Sequence, residues 1–325
     1  MGLPLFTLFG SKPEDHFFWK SRGTAKDELS EKLSKAKSRY TKVLEDQSTC
    51  ALPIHIISSE DISNFSATEF SRLKRFFEPY YTIIKVIQFV RNPFTYLDSA
   101  FQEKVKTGYD QFILDKFIPH YKDRIIALES AFGKQNVSIL EYNLEKSSLD
   151  AFIMHMQGLF PKALANKVAS SENIAIKNKP DNANTRLTAT AVKILFGYNQ
   201  FNNASIRQLP PVVTLHLAQK LSTLKGAPAT ISSSQKIHSI TKIKEQLSWL
   251  KENYKISFEF LNVKAETPEC LSSANIHIID PEMITWLNDY LLTCGHSSQA
   301  YEPNSPLVSE RYFELLHDAL LKKFT

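Results

Sequence analysis

VIQFVRNPFTYLDSAFQEKVKTG, residues 86–108, is the stretch that decides how this 325-residue chain is read. Residues 83–90 form a near-continuous apolar, β-branched run, which predicts a strand covered on both faces of a parallel sheet. Pro93 ends that strand, and residues 94–106 take up a helical period. Phe94, Leu97, Phe101 and Val105 make one apolar stripe; Thr95, Ser99, Gln102 and Lys106 make a polar stripe opposite. The apolar stripe is expected to pack on the sheet, and the polar stripe faces either solvent or a ligand. Arg91 falls at the carboxyl end of the strand, where open parallel sheets bind their ligands. A guanidinium there grips a phosphate through two parallel hydrogen bonds. An arginine before Asn-Pro is also an ordinary way to leave a strand.

Outward from this segment, strands alternate with helices. Residues 53–58 (PIHIIS) and 137–142 (VSILEY) read as further strands, and residues 3–9 as a short one. Helices are expected over 27–45, 66–79, 109–132 with a break at Pro119, and 149–160. The helix from Ser66 is announced by the capping box SATE, with Glu69 at its third position. The polar residues 169–185 read as a loop. Helices then dominate: 187–198, 212–224, 234–254, 281–292 and 309–322, with a possible extended piece at 256–263. The fold class expected is α/β: a parallel sheet flanked by helices over residues 1–200, with a mostly helical extension over 201–325 packed on it.

Composition limits the function classes. Hydrophobic residues are 43% and charged residues 22%, values of a globular chain rather than a disordered one. The net charge of +5 suits an anionic small molecule. It is spread along the chain without an arginine-rich run, so nucleic acid is not the expected partner. Cys50, Cys270 and Cys294 are far apart and have no CxxC spacing. They fit a reducing cytosol and predict neither a disulfide framework nor a zinc site. The nine histidines contain no HExxH, so no metal is expected. No apolar run approaches a membrane span, and the amino end lacks the basic leader of a signal peptide, so the chain is read as soluble and cytoplasmic.

Arg91, Asn92, Pro93 and Ser99 together resemble the phosphate-binding element of the PAPS-dependent sulfotransferases, in which a strand ends in Arg-Asn/Asp-Pro and a Ser follows eight residues after the Arg. The continuation AFQEKVKTG is similar to the bacterial carbohydrate-type members. The Ser58-Ser59-Glu60 segment, VSILEYNLE, and KGAPATIS with its downstream WLKENYKISF add weaker likenesses. The resemblance implies a P-loop-type sulfotransferase fold and a nucleotide cofactor, PAPS, leaving as PAP. It also implies sulfuryl transfer to a hydroxyl of a carbohydrate or glycan-like acceptor, without a metal. It assigns Arg91 and Ser99 to the cofactor phosphate and Glu60 to the base that takes the acceptor proton. Ser58, Ser59, Gln102 and Lys106 would bind substrate. Glu60 is equally readable as an exposed residue after a turn, and His55 as a packed histidine.

The resemblance also calls for an amino-terminal phosphate loop after a strand, and no good copy is present. The nearest candidate is residues 5–13, where Gly10, Ser11 and Lys12 would form a degenerate loop. The expectation is a chain that either starts after that loop or has lost it. The alternative function is therefore a catalytically incompetent relative that binds nucleotide weakly or serves as an interaction module.

Overall fold

The computed structural model describes residues 2–16, 19, 24–48, 54–142, 148–160, 186–258, 270–296 and 306–324. The protein is mostly helical, with a small two-stranded parallel sheet. Two compact units are built from interleaved segments. The first comprises Met1–Asn92, His120–Lys179 and Glu245–Phe258; the second comprises Pro93–Pro119, Pro180–Lys244 and Glu259–Thr325. Both units draw on sequence from either side of residue 200.

The first unit holds the helices α1 (Gly2–Phe9), α2 (Lys26–Ser48) and α3 (Ala67–Phe77), then the strand β1 (Val86–Arg91). Residues 3–9 were expected as a strand and are helical instead. A short continuous apolar run satisfies either geometry, and here Leu5 and Phe9, one helical turn apart, both enter the core. The helix α3 begins as its sequence predicts. Ser66 Oγ accepts from the Glu69 amide while Glu69 Oε2 accepts from the Ser66 amide at 2.8 Å, so two orphan donors are satisfied reciprocally. Phe70, Leu73 and Phe77 then fall on one face and pack with Leu5, Phe9, Phe65, Leu128 and Phe132. Burying each such side chain contributes roughly 1.5–3 kcal/mol.

Next in this unit is α5 (Tyr121–Phe132), which ends on Gly133 at φ +84, a conformation that favours glycine. The strand β2 (Val137–Tyr142) follows and pairs in parallel with β1, from Val86↔Val137 to Arg91↔Tyr142. Within this unit α5 supplies part of the crossover that a parallel pair requires. The helix α6 (Ser148–Leu159) follows β2 in this unit, and Glu245–Phe258 adds most of α10 (Lys244–Tyr254). A buried strand was expected over residues 53–58, of which 54–58 are described. They carry no sheet pairing, and Ile56 and Ile57 are 63% and 38% exposed.

The second unit is helical: α4 (Pro93–Lys106), α7 (Ala189–Ala204), α8 (Pro211–Leu221), α9 (Ser233–Thr241), α11 (Pro281–Thr293) and α12 (Pro306–Phe324). The helix α7 is the hub. Ala191, Val192, Ile194, Leu195, Phe196 and Tyr198 are all buried, so it is apolar nearly all round, as a helix enclosed by others must be. The helices α4, α8, α11 and α12 pack against it. Gly197 permits the approach of α12, because a Cβ at that position would meet the Phe313 ring at 2.5 Å. The expected single helix over 234–254 is two, α9 and α10. The expected loop at 169–185 and most of the extended piece at 256–263 lie outside the described residues.

Candidate functional site

Arg91 ends β1 as its sequence predicts. Its backbone is fixed twice: Arg91 lies in register with Tyr142, and the buried Tyr121 hydroxyl donates to the Arg91 carbonyl. The guanidinium carbon lies 5.5 Å from the centre of the Tyr142 ring, a cation–π placement that restrains the side chain at the carboxyl rim of the pair. The Arg91 side chain is half-buried at that rim.

Ser58, Ser59 and Glu60 were expected at the end of a neighbouring strand. They instead follow an unpaired stretch, and Glu60 caps a 3-10 turn, Asp61–Asn64. Ser58 and Glu60 are exposed and Ser59 is half-buried. The strand that was to place Glu60 on the rim with Arg91 is not formed.

The degenerate loop is corrected more sharply. Gly10 and Ser11 follow a helix, not a strand. The Ser11 amide donates to Glu69 Oε1 at 2.5 Å, and Ser11 Oγ accepts from Arg72 Nη2 at 2.8 Å. The amide that would face a phosphate in a phosphate loop is spent on a carboxylate. Burial alone would raise the pKa of Glu69, but the bonds from Ser66 and Ser11 outweigh it and hold the carboxyl below the ordinary glutamate range. A depressed pKa stabilises the fold above the unfolded value near ~4.3 and is lost as pH falls through the folded value. Glu69→Ala is therefore expected to lower stability by about 1–2 kcal/mol at neutral pH. Denaturant titrations should show that deficit shrinking below about pH 4.

In the second unit, Ser99 lies half-buried in the second turn of α4. Gln102 belongs to the buried face of that helix, not to the polar stripe. Its amide donates to the Ala229 carbonyl at 2.9 Å and accepts from the Leu187 amide at 3.0 Å, so it serves the interior instead of a substrate. Lys106 Nζ pairs with Glu103 at 2.7 Å, and its side chain is largely covered.

The strongest polar feature of α4 was not anticipated. Asp98 and Lys236 form an ion pair at 3.1 Å with side chains 7% and 5% exposed. Asp98 Oδ1 also accepts from the Ile231 amide at 2.8 Å, and Lys236 Nζ stands 4.1 Å from the centre of the Phe94 ring. Burial pushes the Asp98 carboxyl up, against the pull of Lys236, the Ile231 amide and Arg186. Asp98 and Gln102 thus pin the extended residues 228–232 to α4. Those residues are further held by bridges Thr188↔Pro228 and Ile231↔Leu271.

No family model, curated protein or solved structure matches this chain. Among the described residues, no group of three or more His, Cys, Asp or Glu side chains is placed to hold a metal ion. Among them, too, no helix is long and apolar enough to cross a membrane.

Proposed function

We propose that this chain is a sulfotransferase-like protein of P-loop-type ancestry that binds the nucleotide PAPS, or its product PAP, through Arg91. The reading rests on one observation: a guanidinium restrained over Tyr142 at the carboxyl end of a parallel strand, followed by Asn92, Pro93 and a helix carrying Ser99. Arg91 is the proposed ligand of the nucleotide phosphate, and Ser99, eight residues on, is the second ligand that the sequence resemblance implies. The reaction proposed is in-line sulfuryl transfer to a carbohydrate hydroxyl. The bond from sulfur to the PAPS phosphate oxygen breaks, a bond from sulfur to the acceptor oxygen forms, PAP leaves, and a base takes the hydroxyl proton; Glu60 is the base the resemblance implies, although no strand holds it at the Arg91 rim. Ser58, Ser59 and Lys106 are the acceptor contacts that the sequence resemblance implies; Gln102 is not among them, because both ends of its amide are engaged.

A specific observation favours a second reading, in which nucleotide binds and sulfuryl transfer does not occur. The Ser11 amide donates to Glu69 and the Gly10 amide to the Phe6 carbonyl, so the amino-terminal segment described offers no phosphate cradle for the transferring group. Calorimetric titration with PAP decides the first point. Binding is expected in the wild type, with affinity falling about 10- to 100-fold in Arg91→Ala, the loss of a charge-assisted pair. No binding at millimolar PAP rejects both readings. Binding without turnover of labelled PAPS on sugar acceptors selects the second.

A further inference from the structure

We propose that a cleft at the amino ends of β1 and β2 binds a free amino acid with an apolar side chain. All its walls belong to the first unit. Ile83 and Ile84 lead into β1, Phe132 ends α5, and Asn136 stands just ahead of β2. Lys74 lies in the last turn of α3, and Glu78 caps that helix. The space is about 180 Å³. An apolar cavity of about 150 Å³ takes up benzene, so there is room here for one ring or one branched aliphatic side chain. Phe132 is buried, whereas Ile83 is 64% exposed. A guest side chain lying against the two isoleucines would take that apolar surface out of water. Arg91 is at the opposite end of the strands, about 20 Å away for six residues, so the inference does not depend on the nucleotide reading.

The polar lining selects the head group of the ligand. Two of its members are already engaged. Asn136 Nδ2 donates to the Phe132 carbonyl at 2.9 Å while its Oδ1 accepts from Lys85 Nζ at 2.9 Å, and the Tyr81 hydroxyl lies 2.8 Å from His55 Nδ1. The charged members are Lys74 and Glu78, one helical turn apart, with Nζ 3.4 Å from Oε1 and side chains 34% and 49% exposed. An ion pair so open and so long holds its partners weakly. It sets an ammonium and a carboxylate side by side at the edge of an apolar recess. The complement of that arrangement is a zwitterion, with its α-carboxylate on Lys74 Nζ, its α-ammonium on the Glu78 carboxylate and its side chain in the recess. A ligand with a single charge matches the pair less well. A bare carboxylate on Lys74 lies beside the like charge of Glu78, and a bare amine on Glu78 lies beside the like charge of Lys74.

Titration of the full chain with L-phenylalanine, followed through the backbone amide NMR shifts of Thr82, Ile83 and Ile84, tests it. Saturable shifts are expected, with a dissociation constant on the order of millimolar, as befits a small ligand in an open cleft. Two analogues separate the charges: 3-phenylpropionate lacks the ammonium and phenethylamine lacks the carboxylate. Each should bind about three- to ten-fold more weakly than phenylalanine. Lys74→Met and Glu78→Gln should each weaken phenylalanine by about the same factor. Both side chains are substantially exposed, so neither change is expected to disturb the fold, and amide shifts outside the cleft serve as the check. The absence of saturable shifts at about 50 mM phenylalanine overturns the proposal. So does an analogue that binds as tightly as phenylalanine, or an affinity for phenylalanine unchanged in either variant.

Discussion

Asp98→Ala is expected to destabilise the protein by about 3–5 kcal/mol, measured by chemical denaturation, because it strands the Lys236 ammonium in the interior. The Ile231 amide loses its acceptor as well. Burial raises the Asp98 pKa despite the pull of three partners, Lys236, the Ile231 amide and Arg186, so desolvation is the largest influence at this carboxylate. The double variant Asp98→Leu with Lys236→Met should consequently recover most of the loss. If Asp98→Ala alone proves neutral, the two groups are not enclosed as described.

Phe101→Ala should be of similar size, about 3–5 kcal/mol, through the cavity left by a fully buried ring. Phe101 meets Phe112, Phe117 and Phe196 at centroid separations of 5.0, 6.0 and 6.2 Å, so three neighbours lose contacts at once and none can fill the gap without leaving its own partners. Phe101→Leu should cost less, since it retains most of the apolar volume. Both variants loosen the seat of the helix that carries Ser99. A fall in PAP affinity that tracks the stability loss, without any change at Arg91, would show that the seat matters to the proposed ligand.

How far the sequence could be read depended on the range of the signal. The capping box at Ser66 and the period-breaking Pro93 are written within four residues, and both elements begin where expected. The strands β1 and β2 carry enough β-branched, apolar character to be recognised alone. Residues 3–9 are too short for period to separate helix from strand, and the choice was settled by core partners distant in sequence, such as Phe65 and Phe70. The misplacement of Gln102 has a similar cause. The stripe of Phe94, Leu97, Phe101 and Val105 marks the centre of the buried face, but that face is wide enough to take in Asp98 and Gln102 at its margin. Their partners at residues 187, 229, 231 and 236 are too remote for any local pattern to reveal. The place of Arg91 at a strand end was legible because the strand and the proline that stops it are both written locally. Ser58 to Glu60 were misplaced because their position depended on a strand whose pairing is absent.

The order in which segments are dealt between the two units has a practical consequence for dissecting the gene. The polypeptide passes from one unit to the other after Asn92, Pro119, Lys179, Lys244 and Phe258. A single stop codon, or one nick by a protease, can therefore release neither unit whole. A fragment ending at residue 200 would retain β1 and β2 but forfeit Glu245–Phe258, including the Tyr254 phenol that donates to Glu129 at 2.6 Å. Fragment complementation, with both pieces present together, is the form in which a divided version of this protein should regain its structure.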